Sequence, residues 1–236
     1  MSPSRTEWAV IPETESWRPM AFGFKDARRI KDPVCEPLWS GERILVEVND
    51  RAVRLRDTDG STVEGFQDLE DAIADAVTAA EVVIDGYLMP APIGAQVDDA
   101  SLVDMPNVPS AGQMARQFML GSIGSNRYQD QLDAAESRIV AVSANEPAAF
   151  VAIDLLWLDR ESLIDIPLAE RKRLLDSVVA ERDLVRRTVN VKPPVETWYR
   201  QWRSFGFREF AVKDANSRYT PGGESDLWTT VAIPRR

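Results

Sequence analysis

Apolar and charged side chains alternate along ILVEVND and again along RAVRLRDTDG, from Ile44 to Gly60. Period-two alternation marks strands with one buried face, so the segment predicts a β-hairpin turning through Asn49 and Asp50, with DTDG as the next turn. The period then changes. Phe66, Leu69, Ile73, Ala76, Val77 and Ala80 recur at helical spacing with acids between them, predicting an amphipathic helix over 66–80. EVVIDGYLM (Glu81 to Met89) is a short apolar, β-branched run and reads as a largely buried strand.

Residues 90–112 carry four prolines and two glycines without a sustained period, and predict a long loop. Helical stretches follow in QMARQFML and in QDQLDAAESRIVAVSA, with Leu132, Ile139 and Val142 inward. AFVAIDLLWLD has the apolar density of a central strand. PLAERKRLLDSVVAERD reads as a helix with Pro167 in its first turn. The remainder predicts a strand near LVRRTVNV, a helix in PVETWYRQWRSFG stopped by Gly206, and strands in FREFAVK and LWTTVAI. Helices and strands mix without a repeating βαβ unit or a break in composition, so one α+β domain over 1–236 is expected.

Composition narrows the chemistry. A length of 236 residues with 44% apolar content suits a globular core, and no window approaches the apolar run of a membrane helix. With one cysteine and no histidine, disulfide frameworks, zinc sites and the usual serine or cysteine triads lose their necessary residues. Together these features lead us to expect a cytoplasmic protein with no membrane contact. The net charge of −10 repels a phosphate backbone at long range, which argues against DNA binding by the isolated chain. Five lysines among 28 basic residues are an arginine bias, read as the codon usage of a bacterium.

Several stretches carry a family resemblance. EPLWSGER (Glu36 to Arg43) resembles the E-P-K-x-D-G-x-R signature of ATP-dependent DNA ligases, in which the lysine amine attacks the α-phosphate of ATP. VVIDGYL resembles V-V-L-D-G-E-L, and FVAIDLLWLD resembles F-V-x-F-D-L-L-x-L-D. DRESLIDIPLAERKRLL and GFREFAVKDANSRYTPGGESDLW resemble two further ligase stretches. They fall in the family's order over roughly 34–232. The chain is therefore similar to the adenylation domain of bacterial end-joining ligases. That resemblance implies a ligase-type nucleotidyltransferase fold (ATP-grasp-like), two antiparallel sheets with flanking helices around a cleft, without the oligonucleotide-binding barrel that follows in the family.

By the same resemblance the catalytic motifs are degenerate. Leu38 stands in place of the nucleophilic lysine and Ser40 in place of an acid. Tyr87 replaces a ribose- or metal-contacting glutamate, and Ile153 an adenine-stacking aromatic ring. Arg208 and Glu209 replace Glu-Gly, Thr230 and Ala232 replace two phosphate-gripping lysines, and Asp57, Thr58 and Asp59 replace Ser-Arg-Asn. Glu36, Arg43 and Lys213 are retained. The resemblance places Arg43 and Lys213 beside the nucleotide and leaves Glu36 free to read a base edge.

Each has a plainer reading: Arg43 as an ion pair with Glu36 or Glu42, Glu36 as a surface acid, and Lys213 as the partner of a carboxylate. Tyr87, Trp39 and Trp228 read as apolar filling of the cleft, Trp198 and Trp202 as core, and Cys35 as an inert thiol with no base to activate it. Lys31 lies about 23 Å of extended chain from Leu38, too far to replace its amine. The expectation is a catalytically inactive ligase-like protein from DNA repair that acts by binding a protein partner, with no catalytic residue, metal site or cofactor. Two alternatives stand beside it. One is an enzyme binding ATP and Mg²⁺ noncovalently through Arg43 and Lys213, and the other is a DNA-binding repair scaffold.

Overall fold

The computed structural model describes residues 9–91 and 142–234. In chain order the strands are β1 (Ala21–Phe22), β2 (Pro33–Pro37), β3 (Glu42–Asn49), β4 (Ala52–Arg56), β5 (Thr62–Val63) and β6 (Glu81–Pro90). They continue with β7 (Ala148–Leu158), β8 (Glu161–Ser162), β9 (Val185–Arg187), β10 (Glu209–Asp214), β11 (Glu224–Ser225) and β12 (Trp228–Ala232). The helices are α1 (Gln67–Ala76), α2 (Leu168–Val178) and α3 (Glu196–Ser204).

Strands β5-β4-β3-β6-β7-β8 form one antiparallel sheet, to which β9 adds in parallel beside β7. A second antiparallel sheet runs β12-β10-β2, and β1 pairs in parallel with β11. Two antiparallel sheets with flanking helices are thus the core of the fold. Two glycines permit its close approaches. A Cβ on Gly41 would lie 2.2 Å from the Leu88 carbonyl oxygen, and one on Gly86 would lie 2.4 Å from the Phe150 ring.

Both faces of the larger sheet are covered. Ile44, Val46 and Val48 of β3 join Val53, Leu55, Leu69, Ile73 and Leu175 in one core, whereas Leu45 packs with Met20, Leu156, Tyr219 and Trp228 on the other face. The charged positions of the hairpin, expected to face solvent, are therefore buried. Glu47 and Arg56 are fully buried and Arg54 nearly so. Residues 11–18 lie over them. Arg56 donates to the carbonyls of Thr14, Glu15 and Trp17 and to Glu47 at 2.6 Å, Thr14 Oγ1 donates to Glu47, and Arg54 forks onto Glu15.

Local boundaries depart from the pattern in a few places. The hairpin turns at Asp50 and Arg51, both at positive φ, one residue later than expected. Helix α1 stops at Ala76 rather than Ala80, because Val77 bridges to Val179 and Thr78 donates to the Val178 carbonyl. The same bridge ends α2 at Val178. Pro167 caps α2 from just outside instead of occupying its first turn. In DTDG, Asp57 Oδ1 accepts the Asp59 and Ser61 backbone N–H groups, and Gly60 sits at φ 88°. The loop expected over 90–112 begins with Pro90 as the last residue of β6. Ala91 follows, its N–H bonded to the Pro147 carbonyl, and residues 92–112, QMARQFML and most of QDQLDAAESRIVAVSA lie outside the described residues.

Candidate functional site

The facing sides of the two sheets bring retained and replaced motif residues together. Strand β2 supplies Glu36, β3 Arg43, β6 Asp85 and Tyr87, β7 Ile153 and Asp154, and β10 Lys213. Helix α2 adds two cations that motif reading missed, Arg171 and Lys172. They were legible in one respect: with Leu168 and Leu175 they occupy positions i, i+3, i+4 and i+7, the stripe a helix turns inward.

Asp85 and Asp154 are register partners across β6 and β7, and the pairing shifts on either side of Asp85. Two carboxylates so placed repel unless each is neutralised. Each has its own arginine. Arg43 Nε and Nη2 fork onto Asp85, both at 2.5 Å, and Arg171 forks onto Asp154 at 2.9 and 2.7 Å. Arg171 also donates to the carbonyls of Ile166 and Ser217. Asp154 accepts the Leu155 backbone N–H, while Asp85 accepts the Tyr219 hydroxyl at 2.7 Å. Arg43 is an ion-paired side chain, as its plainer reading held, but its partner is Asp85 rather than Glu36 or Glu42.

Glu36 is no surface acid. It is 2% exposed, packed on the inward face of β2, and two lysines share it. Lys172 Nζ lies 2.5 Å from Oε1 and Lys213 Nζ 2.9 Å from Oε2. Burial alone would raise the Glu36 carboxyl, but the two ammonium groups outweigh it and hold the group below the usual range. Lys213 is pushed down to about 8, chiefly by burial and against the pull of Glu36. Its ammonium lies 4.1 Å from the centre of the Trp228 ring.

The degenerate positions surround this centre. Leu38 follows β2, half-buried, its backbone N–H bonded to the Glu209 carbonyl. Trp39 donates its indole N–H to Thr188 at 2.9 Å and packs edge-on against Phe207. The Ser40 hydroxyl is buried with no hydrogen-bond partner among the described residues. Tyr87 and Ile153 pack with Met89, Ala149 and Val151 against Trp39, and the Arg43 guanidinium lies 5.2 Å from the Tyr87 ring centre. Trp228 fills a different core, with Tyr219 and Met20, and donates to Ser217. Arg208 is exposed, and Glu209 is buried opposite Ala232. Thr230 lies opposite Ala211, on the β12 side of the smaller sheet. Asp57, Thr58 and Asp59 belong to the surface turn after β4.

The charged side chains between the sheets are paired with one another: Arg43 and Arg171 each have both arms on an aspartate, and Lys172 and Lys213 both lie against Glu36. Among the described residues no group of three or more acidic or cysteine side chains converges as a metal site. Cys35 is buried, its thiol pushed up to about 11, mainly by burial. Trp198 and Trp202 stack in the core beside Phe210.

Comparison with known proteins places this geometry. The family model described as ATP dependent DNA ligase domain matches residues 24–231. The chain is 27% identical over 193 residues to the multifunctional non-homologous end joining protein LigD of Mycobacterium bovis, covering 82% of this chain and 20% of that protein. It is 25% identical over 213 residues to DNA ligase 2 of Methanosarcina acetivorans, covering 86% of this chain and 33% of that one. The crystal structure of the ligase domain of Mycobacterium tuberculosis LigD superimposes with a TM-score of 0.59 at 23% identity, over 92% of this chain and 59% of that structure. The fold is the same. The chain spans a third or less of the length of these curated relatives.

Proposed function

Since the chain belongs to the ATP-dependent DNA ligase domain family, we propose that it is a ligase-type adenylation scaffold that forms no lysyl-AMP and acts by binding a protein partner. The observation that carries this reading is the fate of the amines around Leu38. Leucine has no nucleophilic atom, and the two lysines nearest the retained motifs, Lys172 and Lys213, are both buried on Glu36. Held on one buried carboxylate, neither amine is free to swing to an α-phosphate. The likeness to end-joining proteins supports DNA end repair as its setting, and we place it in the bacterial cytoplasm. No helix among the described residues is long and apolar enough to cross a membrane.

The partner reading follows from charge. At net −10 the chain opposes polyphosphate approach and suits a protein surface more than naked DNA. Incubation of the purified protein with α-labelled ATP and magnesium, followed by denaturation, tests the central claim. No label is expected to remain on the polypeptide. Label that survives denaturation would overturn it.

A further inference from the structure

Among the described residues, four cations between the sheets, Arg43, Arg171, Lys172 and Lys213, form ion pairs with three carboxylates, Glu36, Asp85 and Asp154. The arginines each take one aspartate in a two-armed contact, and both lysines are paired with Glu36. That carboxylate lies between two ammonium groups at 2.5 and 2.9 Å, which is the arrangement of a bound anion. It comes from the protein itself. Glu36 sits on β2, the edge strand, two residues before Leu38 and anchored by pairing with β10, so the carboxylate is delivered by the backbone at fixed depth.

We infer that Lys172 and Lys213 form an anion site of the size of one phosphate, and that the Glu36 carboxylate occupies it permanently as an internal ligand. The inference rests on the reading that the chain carries no nucleotide: the lysine pair keeps its charge, and Glu36 neutralises it from within. Removing the charge of Glu36 while keeping its shape takes away the carboxylate both buried lysines are paired with, so at a pH well below 8 their ammonium forms need another anion. Burial makes that state costly, and a small anion from solution relieves it.

The test compares the wild-type chain with Glu36→Gln, using inorganic phosphate as the probe, read by calorimetry and by thermal unfolding in phosphate against chloride. Wild type is expected to bind no phosphate, whereas Glu36→Gln should bind at least about tenfold more tightly. Adding Lys172→Met to Glu36→Gln should remove that gain. If Glu36→Gln folds only when phosphate is supplied, that dependence is the same result. A Glu36→Gln protein that folds in chloride with no affinity for phosphate overturns the inference, as does one that phosphate fails to refold. Wild type binding phosphate or ATP would instead defeat the underlying reading of an empty nucleotide role, so the two failures are told apart by which protein binds.

Discussion

Arg171 holds the buried charge of Asp154. It neutralises Asp154 with both arms and caps the Ile166 and Ser217 carbonyls, entirely out of solvent. Arg171→Ala should lower stability by about 3–5 kcal/mol, because it leaves a buried carboxylate uncompensated, and urea unfolding measures the loss. Leu38→Lys should not restore adenylation, since the surrounding cations remain committed to Asp85, Asp154 and Glu36. Labelled ATP should leave this variant unlabelled after denaturation.

Lys213 has a signature in pH. Its folded value of about 8 lies below its ordinary 10.5, so between these values the unfolded chain holds a proton that the folded chain has lost. Stability then rises with pH. From pH 8 to 9 the gain from this lysine is about 1 kcal/mol. The Cys35 thiol, raised from 9.0 to about 11, works in the opposite direction above pH 9. Urea unfolding of Cys35→Ala across that range isolates the lysine, and Lys213→Met in the same background should abolish the rise.

The elements show what pattern alone conveys. Strands β3, β6 and β7 were legible because their apolar runs are bounded by turns. Gly86 was legible as a close approach, and Gly86→Ala should cost about 1–3 kcal/mol by forcing the Phe150 ring aside, measured by urea unfolding. Helix ends were not legible. What stops α1 is Val179, a hundred residues away in sequence, and local propensity carries no trace of such a bridge. The motif comparison found Glu36, Arg43 and Lys213 but not how they pair, since Lys213 meeting Glu36, and Arg43 meeting Asp85 instead of Glu42, depend on strand register. Arg171 and Lys172 share the inward stripe of α2 with Leu168 and Leu175, but which acids they meet is set only by the packing of α2 against β7. Arg54 and Arg56 were misread for a related reason, because alternation reveals that two faces differ but not that a second segment covers the polar one.

Across the whole molecule the charge decides what can approach. Long-range repulsion from a net −10 should keep duplex DNA away, and fluorescence anisotropy with a nicked duplex at about 0.15 M salt is expected to show no binding at micromolar protein. Saturable binding that weakens steeply with salt would make DNA the partner.

The molecule also closes on itself from end to end of the described chain. Ala21 and Phe22 pair with Glu224 and Ser225, Met20 N–H bonds to the Tyr219 hydroxyl, and that hydroxyl donates to Asp85. A ribosome releases Met20 some 200 residues before its partner. During synthesis the early strands can pair among themselves and Arg43 can reach Asp85, but Asp154 waits for Arg171 and Glu36 waits for Lys172 and Lys213. The nascent chain therefore carries unpaired acids at its centre until its last third emerges, and truncated translation products ending before residue 213 should be prime substrates for chaperones and proteases.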